Sequence, residues 1–195
     1  KGADRARVTA TISGVAAQDL AAQAAPLAWL GVLDAPISGQ LSTTLDARGI
    51  SSMEAQLDIG AGALKPNAQT RPIAFDRAAI SLNYDPAQGR VNLTDLSVDS
   101  PSMRLAATGQ TYLMREDGTP MKGALASDLP AAFLGQIHIS QAMFDPEGLF
   151  QEPLQFSDGA LDARLRLNPF RLEIGQLALT EGPRRLLASG KVSAE

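Results

Sequence analysis

Apolar and polar residues alternate with a period of two along most of this chain, the spacing of a strand that buries one face. Ile80, Leu82 and Tyr84 fall on one side of such a run, and Ser81, Asn83 and Asp85 on the other. Val91 and Leu93 stand against Asn92 and Thr94 in the next run. The intervening Asp85-Pro86-Ala87-Gln88-Gly89 has the residue chemistry of a turn, so the two runs form a hairpin. The same alternation recurs at Val8, Ala10 and Ile12; at Leu41, Thr43 and Leu45; and at Met53, Ala55, Leu57 and Ile59. It continues at Met103, Leu105 and Ala107; at Ile137 and Ile139; at Leu161, Ala163, Leu165 and Leu167; and at Phe170, Leu172 and Ile174. About nine or ten strands joined by short Gly, Pro, Asp and Asn turns follow, which makes the fold mainly β and antiparallel.

Two stretches depart from the alternation. Between residues 16 and 33 the sequence is rich in alanine, and Leu20, Ala24 and Leu27 recur at helical spacing, so a short helix is expected, broken or kinked by Pro26. At 129–135 a second helical turn is expected behind a cap at Asp128. An internal repeat is also visible. Pro72-Ile-Ala-Phe75 with Ala79-Ile80 matches Pro153-Leu-Gln-Phe156 with Ala160-Leu161 at an offset of 81 residues. Under that offset Val91, Leu93, Leu96 and Val98 fall on Leu172, Ile174, Leu177 and Leu179, and Leu105 and Gly109 on Leu186 and Gly190. A meandering strand module used twice, over 72–109 and 153–190, accounts for the correspondence.

Composition narrows the chemistry. With 195 residues, the chain can bury about 70% of its unfolded surface, and its 45% hydrophobic and 19% charged residues are those of a folding sequence. A net charge of −4 with interspersed signs offers no basic patch for nucleic acid. The absence of cysteine removes disulfides, thiolate metal sites and cysteine nucleophiles, and the single histidine, His138, leaves no histidine pair for a metal. No cofactor motif is present: Gly60-Ala-Gly62 lacks the third glycine of a dinucleotide loop, and Gly-x-Ser-x-Gly does not occur. Asp145 with Glu147, and Asp158 with Asp162, are the carboxylate pairs on which a hydrolase could be imagined. Turn chemistry explains the first pair and outward strand positions the second, and His138, between Ile137 and Ile139, reads as a solvated strand histidine. By periodicity alone, the one apolar face of the sheet is the sealed core of a β-sandwich.

Several blocks alter that balance. Leu33-Asp-Ala-Pro-Ile-Ser-Gly39, Leu45-Asp-Ala-Arg-Gly49 and Gly60-Ala-Gly-Ala-Leu64 come first. Ala79-Ile-Ser-Leu-Asn-Tyr-Asp-Pro86, Phe156-Ser-Asp-Gly-Ala-Leu-Asp162 and Leu167-Asn-Pro-Phe-Arg-Leu-Glu-Ile-Gly175 follow. In order and spacing this run resembles the AsmA-like bacterial envelope proteins of the YhdP-type branch, relatives of the bridge-like lipid transfer proteins. The resemblance implies an elongated, twisted antiparallel sheet curled into an open hydrophobic groove, a single module over residues 1–195. It implies an interior, non-enzymatic segment of a larger periplasmic protein held in the inner membrane by an N-terminal helix not in this sequence. Its partners would be adjoining segments of that protein and a phospholipid or other acyl lipid passing between inner and outer membrane. The groove would be lined by Ile80, Leu82, Tyr84, Val91, Leu93, Leu161, Leu165, Leu167, Leu172 and Ile174. Acyl chains ask only for apolar area, worth roughly 25 cal/mol per Å². The competing expectation is a structural or protein-interaction module of an outer-membrane assembly factor with a sealed β core.

Overall fold

A computed structural model describes residues 5–23, 25–65, 71–123, 129–145 and 151–193. The early strands are β1 (Ala6–Ala16), β2 (Leu33–Asp34), β3 (Pro36–Asp46), β4 (Gly49–Ile59), β5 (Gly62–Leu64), β6 (Ile73–Phe75) and β7 (Arg77–Asp85). After them come β8 (Arg90–Ser100), β9 (Met103–Met114), β10 (Ala132–Phe144), β11 (Leu154–Phe156), β12 (Asp158–Leu167), β13 (Phe170–Glu181) and β14 (Arg184–Ser193). One large antiparallel sheet runs in the order β1-β3-β4-β7-β8-β9-β10-β12-β13-β14, with β11 paired beside β12 on the far part of β10. It is an open sheet, since β1 and β14 are its two ends and do not pair with each other. The strands β2, β5 and β6 make a separate small sheet.

Pairing keeps the apolar parity across the large sheet. Leu57 opposes Ile80, Ile80 opposes Leu96, Leu96 opposes Ala107 and Ala107 opposes Ile139, one unbroken apolar row. The other face is polar. There Asn92 Nδ2 donates to Asn83 Oδ1 at 2.8 Å, Gln110 Nε2 to Gln136 Oε1 at 2.8 Å, and Arg90 Nη1 to Gln110 Oε1 at 2.9 Å. The register shifts by a residue at several points, and side-chain hydroxyls bond the backbone there. Ser51 Oγ donates to the Thr44 carbonyl, Thr94 Oγ1 to that of Ser81, and Ser140 Oγ to that of Ala106, at 3.1, 3.2 and 3.1 Å. In β1 the bulge falls at Gly14, whose φ of 62° suits glycine and whose N–H is accepted by Ser38 Oγ at 3.0 Å.

The alanine-rich stretch forms α1 (Ala17–Ala21) and then a 3₁₀ segment, Ala25–Val32, with the helical path interrupted ahead of Pro26. In a 3₁₀ helix residues three apart eclipse one another. Leu27 and Leu30 therefore point the same way, and both are fully buried, with Ala25 and Ala28 beside them. These side chains join one core with Ile37, Met53, Leu57, Ile59, Ile80 and Leu82, so the segment lies on the apolar face of β3, β4 and β7 as a cover. The helix expected at 129–135 is absent: its cap Asp128 lies outside the described residues, and Ala132 onward is strand. Pairing of Ala132–Ile139 with both β9 and β12 satisfies the backbone on two sides, and this outweighs the local helical preference of Ala131-Ala132-Phe133-Leu134.

Strand boundaries repeat with the offset seen in the sequence. Adding 81 to β6 gives β11, and adding 81 to β7, β8 and β9 gives β12, β13 and β14 to within a residue or two. The register shift between Ser81 and Leu82 falls on that between Asp162 and Ala163, and the shift between Leu93 and Leu96 on that between Ile174 and Leu177. At the kink ahead of β7, the Asp76 N–H donates to the Asp99 carbonyl; Ser157 and Thr180 make the corresponding bond. Removing the cover's deepest contact should be costly: Leu30→Ala is expected to lower stability by about 3 kcal/mol in urea unfolding.

Candidate functional site

The apolar face is continuous, but access to it is not. Ile80, Leu82, Tyr84 and Val91 are 4%, 3%, 4% and 1% exposed and belong to the core that α1, the 3₁₀ segment and Met121 share. The four are thus core residues, closed over by the N-terminal cover and the segment at Met121, and of them only Ile80 also reaches the cleft described below. The other expected lining residues, Leu93, Leu161, Leu165, Leu167, Leu172 and Ile174, are half-buried, with Leu93, Leu165 and Leu167 packed against the edge of that core. Pairing brings Leu165 opposite Leu172 and Ala163 opposite Ile174, while Leu161 sits between Ile137 and Leu177. A second apolar cluster, around Ala107, Ile139, Ala142, Phe156 and Leu179, fills the far end of this region. Phe144 and Phe156 meet there edge to face with ring centroids 6.3 Å apart.

Between the two clusters the face is indented. At the rim of the cover Trp29 looks onto a cleft of about 210 Å³, walled by Ile80, Leu93, Leu96, Phe133, Ile137 and Leu165 and floored by Thr111, Gly135 and Ala163. Thr111 is the one polar side chain in that lining. The floor is low because small residues meet there: Gly135 pairs with Thr111 on one side and Ala163 on the other. A methyl group added at Gly135 would meet only the Ala163 carbonyl at 3.7 Å and Ile137 Cγ1 at 4.0 Å, ordinary contact distances. Periodicity places Leu93, Ala163 and Leu165 on this face but not Trp29, Thr111 or Gly135. Their signal was present, as the lone tryptophan inside an apolar helical segment and as small residues at inward positions.

Polar groups around the face serve the scaffold. The Tyr84 hydroxyl donates to the Gly123 carbonyl at 2.9 Å and so ties the segment after β9 to the core. Gly89, at a φ of 64°, sits so close to the Met121 backbone that a side chain would collide with it. Burial pushes the Tyr84 phenol up to about 12, with the neighbouring Asp85 charge adding to the effect. Asp46 and Asp117 are held below the usual carboxylate range, the first chiefly by the Arg48 N–H at 2.8 Å and the second chiefly by the Thr119 hydroxyl at 2.7 Å.

The carboxylates singled out in the sequence do not converge. Asp158 and Asp162 lie four residues apart along one strand, about 13 Å, beyond the roughly 5–9.5 Å of a glycosidase pair. Glu147 lies outside the described residues. His138 points outward, its Nδ1 3.7 Å from Asp158 Oδ1 with both side chains largely in solvent. Also on the polar face is a trough of about 280 Å³ lined by Gln40, Ser42, Glu54, Gln56, Ser81 and Asn83 among others, with no aromatic platform. Among the described residues no helix is long and apolar enough to cross a membrane.

Compared with known proteins, the chain matches no family model, no curated protein and no solved structure.

Two measurements check this division of the face. Leu82→Asp buries a charge without a partner and should cost about 4 kcal/mol or more, whereas Leu172→Asp at the half-covered side should cost about 1–2 kcal/mol, both read by urea unfolding. Tyr84 supplies a pH test. Its folded pKa is raised, so its contribution is complete below its ordinary value of 10.0 and is lost as the pH climbs toward about 12. Tyr84→Phe should flatten that alkaline limb of the stability curve and cost about 1 kcal/mol at neutral pH through the lost hydrogen bond.

Proposed function

We propose that the half-covered part of the apolar face binds the acyl chain of a phospholipid or other acyl lipid. The chain would do so as a non-enzymatic segment of an AsmA-like periplasmic protein that passes lipid between inner and outer membrane. The observation carrying this reading is the cleft beside Trp29: a hydrocarbon chain needs apolar walls and no directional partner, and the cleft has the first with a single hydroxyl for the second. Its position also supports the reading. The cleft begins where the cover ends and continues into the half-buried Leu161, Leu165, Leu172 and Ile174, so a chain entering it keeps apolar contact along several strands. Sequence order supports it as well, since the blocks resembling the envelope family extend from Leu33 to Gly175.

The second reading, a sealed module that only packs and docks, draws on the burial of Ile80, Leu82, Tyr84 and Val91. The two part company at the cleft. Trp29 is the only tryptophan of the chain, so its fluorescence reports on the cleft without any label. Phosphatidylcholine brominated on its acyl chain should quench that emission in the wild type. Gly135→Leu, which fills the floor without backbone strain, should leave the melting temperature within a few degrees and remove most of the quenching. Absence of quenching in the wild type sinks the acyl-binding reading in favour of the sealed module, as does equal quenching in a folded Gly135→Leu protein.

A further inference from the structure

The two halves of the repeat differ at one pair of positions in a way that changes the charge of the polar face. In the first half Asp85 and Arg90 face each other across the β7–β8 hairpin, and Arg90 Nη2 meets Asp85 Oδ2 at 3.4 Å. The offset of 81 carries this pair onto Arg166 and Arg171, which face each other across the β12–β13 hairpin. The carboxylate has become a second guanidinium. Two residues back along the same face of β12 is Arg164, opposite Glu173, and Glu173 is in turn opposite Lys191 of β14.

Four cations thus stand beside two carboxylates, Glu173 and, two residues before Arg164 on the same face, Asp162; Glu173 is already engaged, with Arg171 Nη2 at 2.7 Å from its Oε1. Among the described residues the ion pairs include none made by Arg164, Arg166 or Lys191. The Nε of Arg166 is shielded from solvent and has no hydrogen-bond partner. Arg90 Nε is in the same condition, but there the Nη groups are held by Gln110 and Asp85. Like charges directly opposite in a sheet repel, and register partners lie only about 5 Å apart at Cα, with diagonal neighbours at roughly 7–8 Å. Three guanidinium forks at such spacing match the oxygens of a tetrahedral oxyanion, which each can bind through paired N–H donors.

We propose that Arg164, Arg166 and Arg171 form a binding site for a phosphate group on the polar face at the β12–β13 hairpin, taking it either as free phosphate or as the phosphodiester of a lipid headgroup. The site is independent of what the apolar face carries, since its side chains leave the sheet on the opposite side.

The test uses the internal template. Arg166→Asp rebuilds the Asp–Arg pair of the first half and removes the excess charge. The melting temperature is measured at pH 7 with 10 mM sodium phosphate and with sodium chloride at equal ionic strength. Phosphate should raise the wild-type value by about 3 °C over chloride, as expected for a ligand present at about ten times its dissociation constant. Arg166→Asp should melt higher than wild type in chloride and show no extra rise in phosphate; Arg164→Gln, which leaves the hairpin pair in place, should show a reduced rise. General salting-out by phosphate acts on wild type and variants alike and cancels in the comparison. Replacing phosphate by glycerophosphoglycerol, a headgroup without acyl chains, separates the sources: an equal rise assigns the site to a lipid phosphodiester, and a rise with inorganic phosphate alone assigns it to the free ion. Equal melting of the wild type in phosphate and chloride overturns the proposal, as does a phosphate rise that survives Arg166→Asp.

Discussion

Everything in this fold depends on keeping one parity across ten paired strands. Side chains alternate faces, so a slip of one residue in any ladder would carry a strand's leucines into water and its asparagines into the core. The sheet nonetheless contains several slips, and each is matched by a phase change in the apolar pattern. Leu93 is followed by Leu96, Ile139 by Ala142, Ile174 by Leu177 and Ile12 by Val15, a spacing of three where the strand otherwise keeps two. The extra residue is absorbed in a bulge, which strengthens the local twist without moving the next apolar residue off the inner face. Hydroxyls at Ser51, Thr94 and Ser140 bond to cross-strand carbonyls beside these points and so replace backbone bonds that the irregular rungs lose.

This accounts for what could be read in the sequence. Period two placed Ile80, Leu82, Leu93, Leu165 and Leu172 on one face because each lies on the regular part of its strand, where direction follows from position alone. The same rule says nothing of what lies above the face. That depends on where the segment from Ala17 to Val32 folds back, a long-range contact with no local signature beyond its apolar character on all sides. Of the expected groove residues four are consequently buried, Ile80 among them still forming part of a cleft wall, and six are half-buried. The error at 129–135 has a related origin: alanine and leucine favour helix locally, yet two waiting sheet edges supply more hydrogen bonds than one helical turn. Alternation places Ala163 on the inner face, but the indentation itself needs Gly135 beside it, and a glycine carries no apolar signal.

The two halves of the repeat share strands, bulges and the kink bond, and they differ in burden. The first half lies under its cover, with Tyr84 and Gly89 fastening the segment after β9 to it. The second half keeps the frame while its apolar face stays half open and its hairpin gathers arginines in place of an ion pair. Two segments with the same strand frame, in which backbone and parity are already satisfied, can carry different side chains on both faces, so differences between equivalent positions are more informative about chemistry than the positions they share.

Strand order has a further consequence. Nearly every strand of the large sheet pairs with its neighbour in sequence, so contacts are local in one dimension and stability accumulates strand by strand, as in a linear array of coupled units. Such an array opens from its ends. At one end β1 is joined directly to α1, so peeling it away disturbs the cover; at the other, β14 is held by β13 alone and has little buried surface of its own. Protection of backbone amides against exchange should therefore rise steadily from β14 inward and reach its plateau beneath Leu27 and Leu30, a gradient set by topology and not by the strength of any single bond.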